Sequence, residues 1–364
     1  MQSKTLTLLA IETSCDETAA SVVRRYTDSK GEIVSNIVRS QLTEHAAFGG
    51  VVPEIAARAH IENLDTLIKA ALSDANITLD ELDGIGATAG PGLIGGLLVG
   101  MMTAKAIAAV KKIPFIAVNH LEGHALTVGL THNQKPPYLL LLVSGGHTQL
   151  IWVQDIGNYT RIGSTIDDAL GEAFDKTAKL LGLGYPGGPE VEKWAQEGDP
   201  NRFDLPRPLK GNKQPNFSFS GLKTALRQQA QKCEPLTEQD IKDLCASFQR
   251  ALITSVIDRL QLGIKDVKTR FPGQDTFPIV VAGGVAANKS LRTELEQLTQ
   301  NNNHPLIIPP FDLCTDNAAM IAWAAAEHLA RGHQDPLTIP ARSRWPLDEQ
   351  STPILGSGKA GAKA

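Results

Sequence analysis

Two histidines one helical turn apart are the first residues whose spacing suggests chemistry. In His120-Leu121-Glu122-Gly123-His124 the i, i+4 separation points both imidazoles the same way on a helix, where they can share one cation. Core or surface histidines produce the same spacing. Glu122 stands two residues after the first histidine, so the HExxH pattern of a zinc protease is absent. A third ligand has to come from elsewhere in the chain. Asp316, in Cys314-Thr315-Asp316-Asn317 at the head of an apolar helix, is the candidate; an ordinary helix-capping or first-turn acid is the other reading. Two histidines and one carboxylate suit Fe(II) or Zn(II) with positions left open for a ligand.

Anion-binding turns come next. Thr5–Ile11 is an apolar run leading into Glu12-Thr13-Ser14-Cys15-Asp16-Glu17-Thr18 and a second short apolar run. Tyr138–Val143 leads in the same way into Ser144-Gly145-Gly146-His147-Thr148 and then Gln149–Val153. Each reads as strand, small polar turn, strand. Ser144, Gly145 and Gly146 leave backbone N–H groups free to cradle a phosphate, though a plain tight hairpin has the same composition. Ala282-Gly283-Gly284-Val285-Ala286-Ala287-Asn288 is a third glycine cluster, placed where a strand runs into a helix. Asn288 there either bonds a ribose or base, or caps the helix that follows.

Two charged segments complete the set. Asp168, Glu172 and Asp175 fall at i, i+4 and i+7 among apolar neighbours, so a helix would carry three carboxylates on one face, either in need of a metal, a cation or a polar ligand or simply an exposed acidic stripe. Residues 202–227 hold Arg202, Arg207, Lys210, Lys213, Lys223 and Arg227 against Asp204 alone, interleaved with Phe203, Phe217 and Phe219. Such a mixture suits looped or single-stranded RNA, or a solvated basic loop.

The elements that must position these residues alternate. Helical periodicity covers 55–71, 94–110, 120–128, 166–181, 236–262, 290–299 and 316–330. Strands are expected at 84–88, 115–118, 278–282 and 306–308 besides the two hairpins. That alternation predicts an α/β protein, and the repeated hairpin predicts two lobes whose turns face one cleft. The expected division is 1–135, 136–335 and a tail over 336–364, disordered from Ser343 onward.

Composition sets outer limits. The chain has 364 residues, 42% hydrophobic and 20% charged, which excludes wholesale disorder. A net charge of −4 excludes generic polyanion binding and confines any nucleic-acid contact to a local patch. Cys15, Cys233, Cys245 and Cys314 form no CxxC and no disulfide framework, which fits a cytoplasmic protein. Residues 84–104 carry no charge, but their seven glycines and Pro91 argue for a strand, a loop and a helix start rather than a membrane span.

Taken together, the motifs resemble the TsaD/Gcp family of tRNA N6-adenosine threonylcarbamoyltransferases, of the bacterial type, once described as O-sialoglycoprotein endopeptidases. The matching stretches are IETSCDETA from Ile11, HAAFGGVVPEIAARAH from His45, AGPGLIGG from Ala89, HLEGH from His120, VSGGHT from Val143 and DDALGEAFDKTAK from Asp167. YPGGP from Tyr185, FSFSGLK from Phe217, AGGVAAN from Ala282 and CTDNAAM from Cys314 follow in order. The resemblance implies a duplicated, two-lobed actin/Hsp70-like ATPase (ASKHA) fold. It implies transfer of threonylcarbamoyl from threonylcarbamoyl-AMP to N6 of the adenosine beside the anticodon, in tRNAs that read A-starting codons. Carried over by motif, His120, His124 and Asp316 are the metal ligands, with Fe(II) ahead of Zn(II). Leu142, Val143, Ser144, Gly145, Gly146, Asp175, Gly188 and Asn288 become adenylate-binding positions, with Glu192 as a further nucleotide contact. His147 is the candidate general base. The implied partners are a TsaB-like paralogue and a TsaE-like P-loop ATPase. Another ATP-dependent kinase of this fold, or a non-catalytic nucleotide-binding scaffold, is the rival reading.

Overall fold

Leu8, Leu9, Ala10 and Ile11 have no exposed surface in strand β1 (Leu6–Glu12), as an unbroken apolar run covered on both faces requires. They belong to a computed structural model that describes residues 4–48 and 50–352, together with the backbone of 354–355 and 362–363. β1 turns back into β2 (Glu17–Arg25), with Glu12 opposite Ala19, and β2 pairs with β3 (Gly31–Ser40). Helices α1 (Leu42–Ala46) and α2 (Pro53–Asp74) follow. Strand β4 (Gly84–Gly90), helix α3 (Ile94–Lys111) and strand β5 (Phe115–Asn119) complete the first lobe, both strands parallel to β1. The order across this sheet is β3-β2-β1-β4-β5. Helix α4 (His120–His132) leaves β5 directly, and Asn119 caps it by accepting from the Leu121 N–H at 2.9 Å.

The second lobe repeats the plan. Strands β6 (Tyr138–Val143), β7 (Thr148–Asp155) and β8 (Asn158–Ser164) form an antiparallel meander. Four helices intervene: α5 (Leu170–Leu181), α6 (Gly187–Ala195), α7 (Ser220–Lys232) and α8 (Glu238–Arg270). Strand β9 (Ile279–Ala282), helix α9 (Lys289–Asn301) and strand β10 (Leu306–Ile307) give the order β10-β9-β6-β7-β8, with β9 parallel to β6. Short α10 (Phe311–Cys314) precedes α11 (Ala318–Ala330), and a two-residue pair, β11 (Ile354–Leu355) with β12 (Ala362–Lys363), lies outside both sheets. Each sheet is thus a three-strand meander whose first strand is extended by two parallel neighbours. β3 and β8, which the sequence reading leaves out, are what make the two halves match strand for strand.

Two expectations need correcting. The division at residue 335 does not follow the packing, because α11 returns to the first lobe. Trp323, Ala324 and Ala325 share a buried cluster with Leu8, Ala10 and Val23, and a Cβ placed on Gly86 would lie 2.7 Å from the Ala325 Cβ. The described part of the expected disordered tail is tied down. The Arg342 N–H donates to Ala89 O at 2.8 Å, Asn119 Nδ2 donates to Trp345 O at 2.9 Å, and the Arg161 N–H donates to Asp348 Oδ2 at 2.8 Å. Residues 342–348 therefore run from the end of β4 across to β8 in the other lobe. The rest of that tail lies outside the described residues.

Helix α3 is long and apolar enough to cross a membrane by composition. Here it packs Leu97, Met101, Ala104 and Ala108 into the protein.

Candidate functional site

Helix α4 starts at the end of β5 and faces the segment between α10 and α11. His120 and His124 lie on it one turn apart, both buried, with ring centroids 4.8 Å apart and planes at 88°. Asn317 rather than Asp316 caps α11, accepting from the Met320 N–H at 3.0 Å, so the Asp316 carboxylate is free to face the histidines. Asp316 Oδ1 lies 3.2 Å from His124 Nε2 and 3.5 Å from His120 Nε2. One ligand atom from each of the three residues lies within 4.8 Å of the other two. Two imidazole nitrogens and one carboxylate oxygen converging from two elements fit a divalent ion of intermediate softness. The buried His124 Nδ1 has no hydrogen-bond partner among the described residues.

The first hairpin turn underlies this cluster. Glu12, wholly buried at the end of β1, accepts from the Ser14 N–H at 2.5 Å and from Thr88 Oγ1 at 2.5 Å. Its Oε2 lies 3.1 Å from His120 Nδ1, and Ser14 Oγ lies 3.1 Å from the same nitrogen. His60 on α2 braces the turn from below, with Nε2 3.1 Å from Cys15 O. Burial works against a charged His120, but Asp316 and Glu12 outweigh it and raise its pKa well above the usual value. Burial likewise opposes ionisation of Asp316, and His120 and His124 hold its carboxyl well below the ordinary range. Glu17 goes the other way. Burial, then the charges of Asp316 and Asp16, push it up to about 10, so it is a neutral carboxylic acid at physiological pH.

In the second lobe, the Ser144 N–H donates to His147 O at 2.8 Å and closes the second turn, while the Ser144 C=O accepts from the Gly171 N–H of α5 at 3.2 Å. Gly145 and Gly146 are exposed, with open space where a side chain would stand. A Cβ on Gly171 would lie 2.8 Å from Gly145 Cα, so α5 begins pressed against the turn. Leu142 and Val143 are buried in β6 and contribute backbone only. Asp175 accepts from the Gly187 N–H at 2.8 Å, and burial raises its pKa. Gly188 next to it has open space around it. Asn288 caps α9 through the Leu291 N–H at 2.8 Å while its Nδ2 donates to Gln249 Oε1 at 2.8 Å. The capping alternative is the one realised, and both ends of that amide are occupied. Glu192 accepts from the Lys289 N–H at 2.7 Å at the same helix start. His147 helps close the turn, its N–H donating to Ser144 Oγ at 3.1 Å.

Two charged segments differ from expectation. The acidic face is neutralised from within: Lys176 pairs with Asp168 at 2.7 Å and Glu172 at 2.9 Å, and Asp168 itself precedes α5. In the basic segment Phe217 and Phe219 are buried and stacked on each other with centroids 6.0 Å apart, and Arg202 is committed to Asp240 and Asp243. Neither phenylalanine is available to a base. Lys210, Lys213, Lys223 and Arg227 remain exposed.

Sequence reasoning missed Glu12, Asp16, Glu17, Thr88 and Tyr185 as site residues. Tyr185, whose pKa is raised first by burial and then by Asp16 and Asp175, belongs to the second lobe while sensing a charge of the first. The available signal was a turn carrying three carboxylates between two strands too apolar to be exposed.

A sequence model for TsaD, tRNA N6-adenosine threonylcarbamoyltransferase, matches residues 32–323. A curated tRNA N6-adenosine threonylcarbamoyltransferase of Brucella suis is 62% identical over 357 residues, covering 98% of this chain and 99% of that protein. One from Brucella abortus is 61% identical over the same length. Among solved structures, HypF of T. kodakarensis superposes over 90% of this chain and 48% of its own, with a TM-score of 0.61 at 13% identity. Component A of the Acidaminococcus fermentans (R)-2-hydroxyglutaryl-CoA dehydratase does so over 90% of this chain and 98% of its own, with a TM-score of 0.51 at 16% identity. At such identities the structural likeness speaks to fold alone, the two-lobed ATPase architecture.

Proposed function

Since this chain belongs to the TsaD family of tRNA N6-adenosine threonylcarbamoyltransferases, we propose that the cleft between its glycine turn and its histidine pair is where the transfer takes place. The enzyme is an acyltransferase with tRNA as acceptor. The donor in this reading is threonylcarbamoyl-AMP, and the acceptor is N6 of the adenosine next to the anticodon in tRNAs that read A-starting codons, giving t6A. The observation that carries the reading is the convergence of His120, His124 and Asp316 on one point, alongside an open Gly145-Gly146 turn at the end of β6.

The donor is a mixed carbamic–phosphoric anhydride and needs no further activation. Nitrogen N6 attacks the carbamoyl carbon, the new C–N bond forms, and the bond from that carbon to the phosphate oxygen breaks. AMP leaves with the electron pair, and the N6 proton passes to a base. Amides of Gly145 and Gly146 would hold the phosphate, with Leu142, Val143 and Ser144 supplying the backbone that leads into them. Asp175 and Gly188 line the adenylate, while Asn288 and Glu192 act indirectly by fixing the start of α9. His147 on the same turn is the candidate proton acceptor. Positioning two reactants in one cleft is itself worth several orders of magnitude in rate.

His120, His124 and Asp316 would hold one divalent ion, a donor set that suits Fe(II) or Zn(II), with Fe(II) put ahead by the family resemblance. Such an ion supplies positive charge for the carbonyl or phosphate oxygens as negative charge develops on them. The family reading also brings a TsaB-like paralogue and a TsaE-like P-loop ATPase as partners, and a cytoplasmic location where tRNA is modified. The test supplies threonylcarbamoyl-AMP and unmodified tRNA to the protein with those partners, then digests the RNA and weighs the nucleosides. Threonylcarbamoyladenosine is the expected product, and its absence with active partners present refutes the reading.

A further inference from the structure

We infer that Glu12 is the positioning residue of the metal centre: its carboxylate accepts a hydrogen bond from Nδ1–H of His120 and so turns Nε2 of that ring toward Asp316. The inference rests on the metal reading above.

The argument starts from burial. A carboxylate with no exposed surface at the end of a core strand is costly unless its oxygens are fully used. Those of Glu12 are. Oε1 accepts from the Ser14 N–H and Oε2 accepts from the Thr88 hydroxyl, each at 2.5 Å, with His120 Nδ1 3.1 Å from Oε2. One side chain thereby joins β1, the first hairpin turn, β4 and α4. An ionised carboxylate can only accept, so the imidazole nitrogen facing it has to carry the hydrogen. Ser14 Oγ, at 3.1 Å from the same nitrogen, can donate as well as accept and leaves the tautomer open. Glu12 therefore decides it. With Nδ1 committed to Glu12, Nε2 is the nitrogen left to give up its hydrogen to an ion, on the side where Asp316 Oδ1 stands 3.5 Å away. Carboxylate–histidine–metal relays of this kind fix ring orientation and make the ligand nitrogen more basic.

The test uses the full-length protein with Zn(II) alone as the probe. With 15N-labelled histidine and the His120 signals assigned by difference from His120→Gln, long-range proton–nitrogen correlation reads the ring directly. The wild type is expected to show a protonated Nδ1 and a zinc-bound Nε2. Glu12→Gln offers one oxygen where two are needed, and its affinity for Zn(II) is expected to fall about 10–100-fold, with the Nδ1 proton lost to fast exchange. Ser14→Ala should bind Zn(II) within about twofold of the wild type and keep the same tautomer. A zinc-bound or unprotonated Nδ1 in the wild type overturns the inference, as does a Glu12→Gln protein that binds like the wild type. Should that variant fail to fold, the wild-type spectrum still decides. If the wild type holds no Zn(II) at all, the metal reading falls first and takes this inference with it, an outcome plainly different from zinc bound through the wrong nitrogen.

Discussion

Gly283 meets the backbone of Val143 so closely that a Cβ on it would lie 2.4 Å from the Val143 oxygen. It also has φ of +97°, a conformation open to glycine. The exits of β9 and β6 are therefore one rigid corner, and the Ser144-Gly145-Gly146 turn is built upon it.

Gly283→Ala should damage that corner. We expect a loss of about 1–3 kcal/mol of stability from the backbone strain and close contact, together with weakened binding of AMP. Thermal unfolding and calorimetric titration with AMP check both. Wild-type AMP affinity in this variant would separate the corner from the nucleotide site.

Removing a ligand should uncouple the protein from its ion. Asp316→Asn keeps the shape of the side chain and drops its charge. Bound metal per chain, measured by elemental analysis after dialysis against a chelator-buffered ion, should fall together with threonylcarbamoyl transfer, the affinity by about 100-fold. Full occupancy in this variant would remove Asp316 from the ligand set.

Asp167 carries a pH-dependent share of stability. It accepts from Ser218 Oγ at 2.5 Å, the Phe219 N–H at 2.8 Å and Ser220 Oγ at 2.9 Å, which pins the start of α7. Burial opposes its ionisation, yet these bonds outweigh burial and leave its pKa below the usual aspartate value. A depressed carboxylate contributes stability that is present above about pH 4, its unfolded-chain value, and is lost as pH falls through the lower folded value. Asp167→Ala should thus cost about 2 kcal/mol at neutral pH and progressively less in acid. Urea unfolding of both proteins at pH 7 and pH 3 measures the difference; an equal gap at both would contradict the assignment.

Charge, rather than stacking, is what the segment 202–227 has left for RNA. Replacing Lys213 or Lys223 by Gln should weaken tRNA binding evenly across sequences and lower the slope of log affinity against log salt by about one per lysine that meets a phosphate. Phe217→Ala should instead act on the core and cost about 3–5 kcal/mol. Salt-dependent binding isotherms and unfolding curves keep the two effects apart.

What was legible in the chain was local. Both hairpins, the HxxxH pair and the glycine corners announce themselves within a dozen residues, and the repeated hairpin suffices to infer two lobes. Strand β3 stayed hidden because most of it is partly or fully exposed, so its apolar alternation is weak. Phe217 and Phe219 were misread because they alternate with Ser218 and Ser220. That period of two turns both rings into the core, while the flanking lysines made the stretch look like surface. Asp316 lies 192 residues from His124, and until the family resemblance its own segment left it equally readable as a helix-capping acid. Glu12 looked like a turn residue because nothing in a sequence tells that a carboxylate will have three donors around it.

Six peptide units separate Arg342, bonded to Ala89 of the first lobe, from Asp348, bonded to Arg161 of the second. Fully extended, that length reaches at most about 22 Å. The crossing segment is therefore a leash with a stop at its end. While both bonds hold, the lobes can swing apart only until it pulls straight. An acceptor as bulky as tRNA has to reach the cleft within that travel, or else one of the two anchors has to let go.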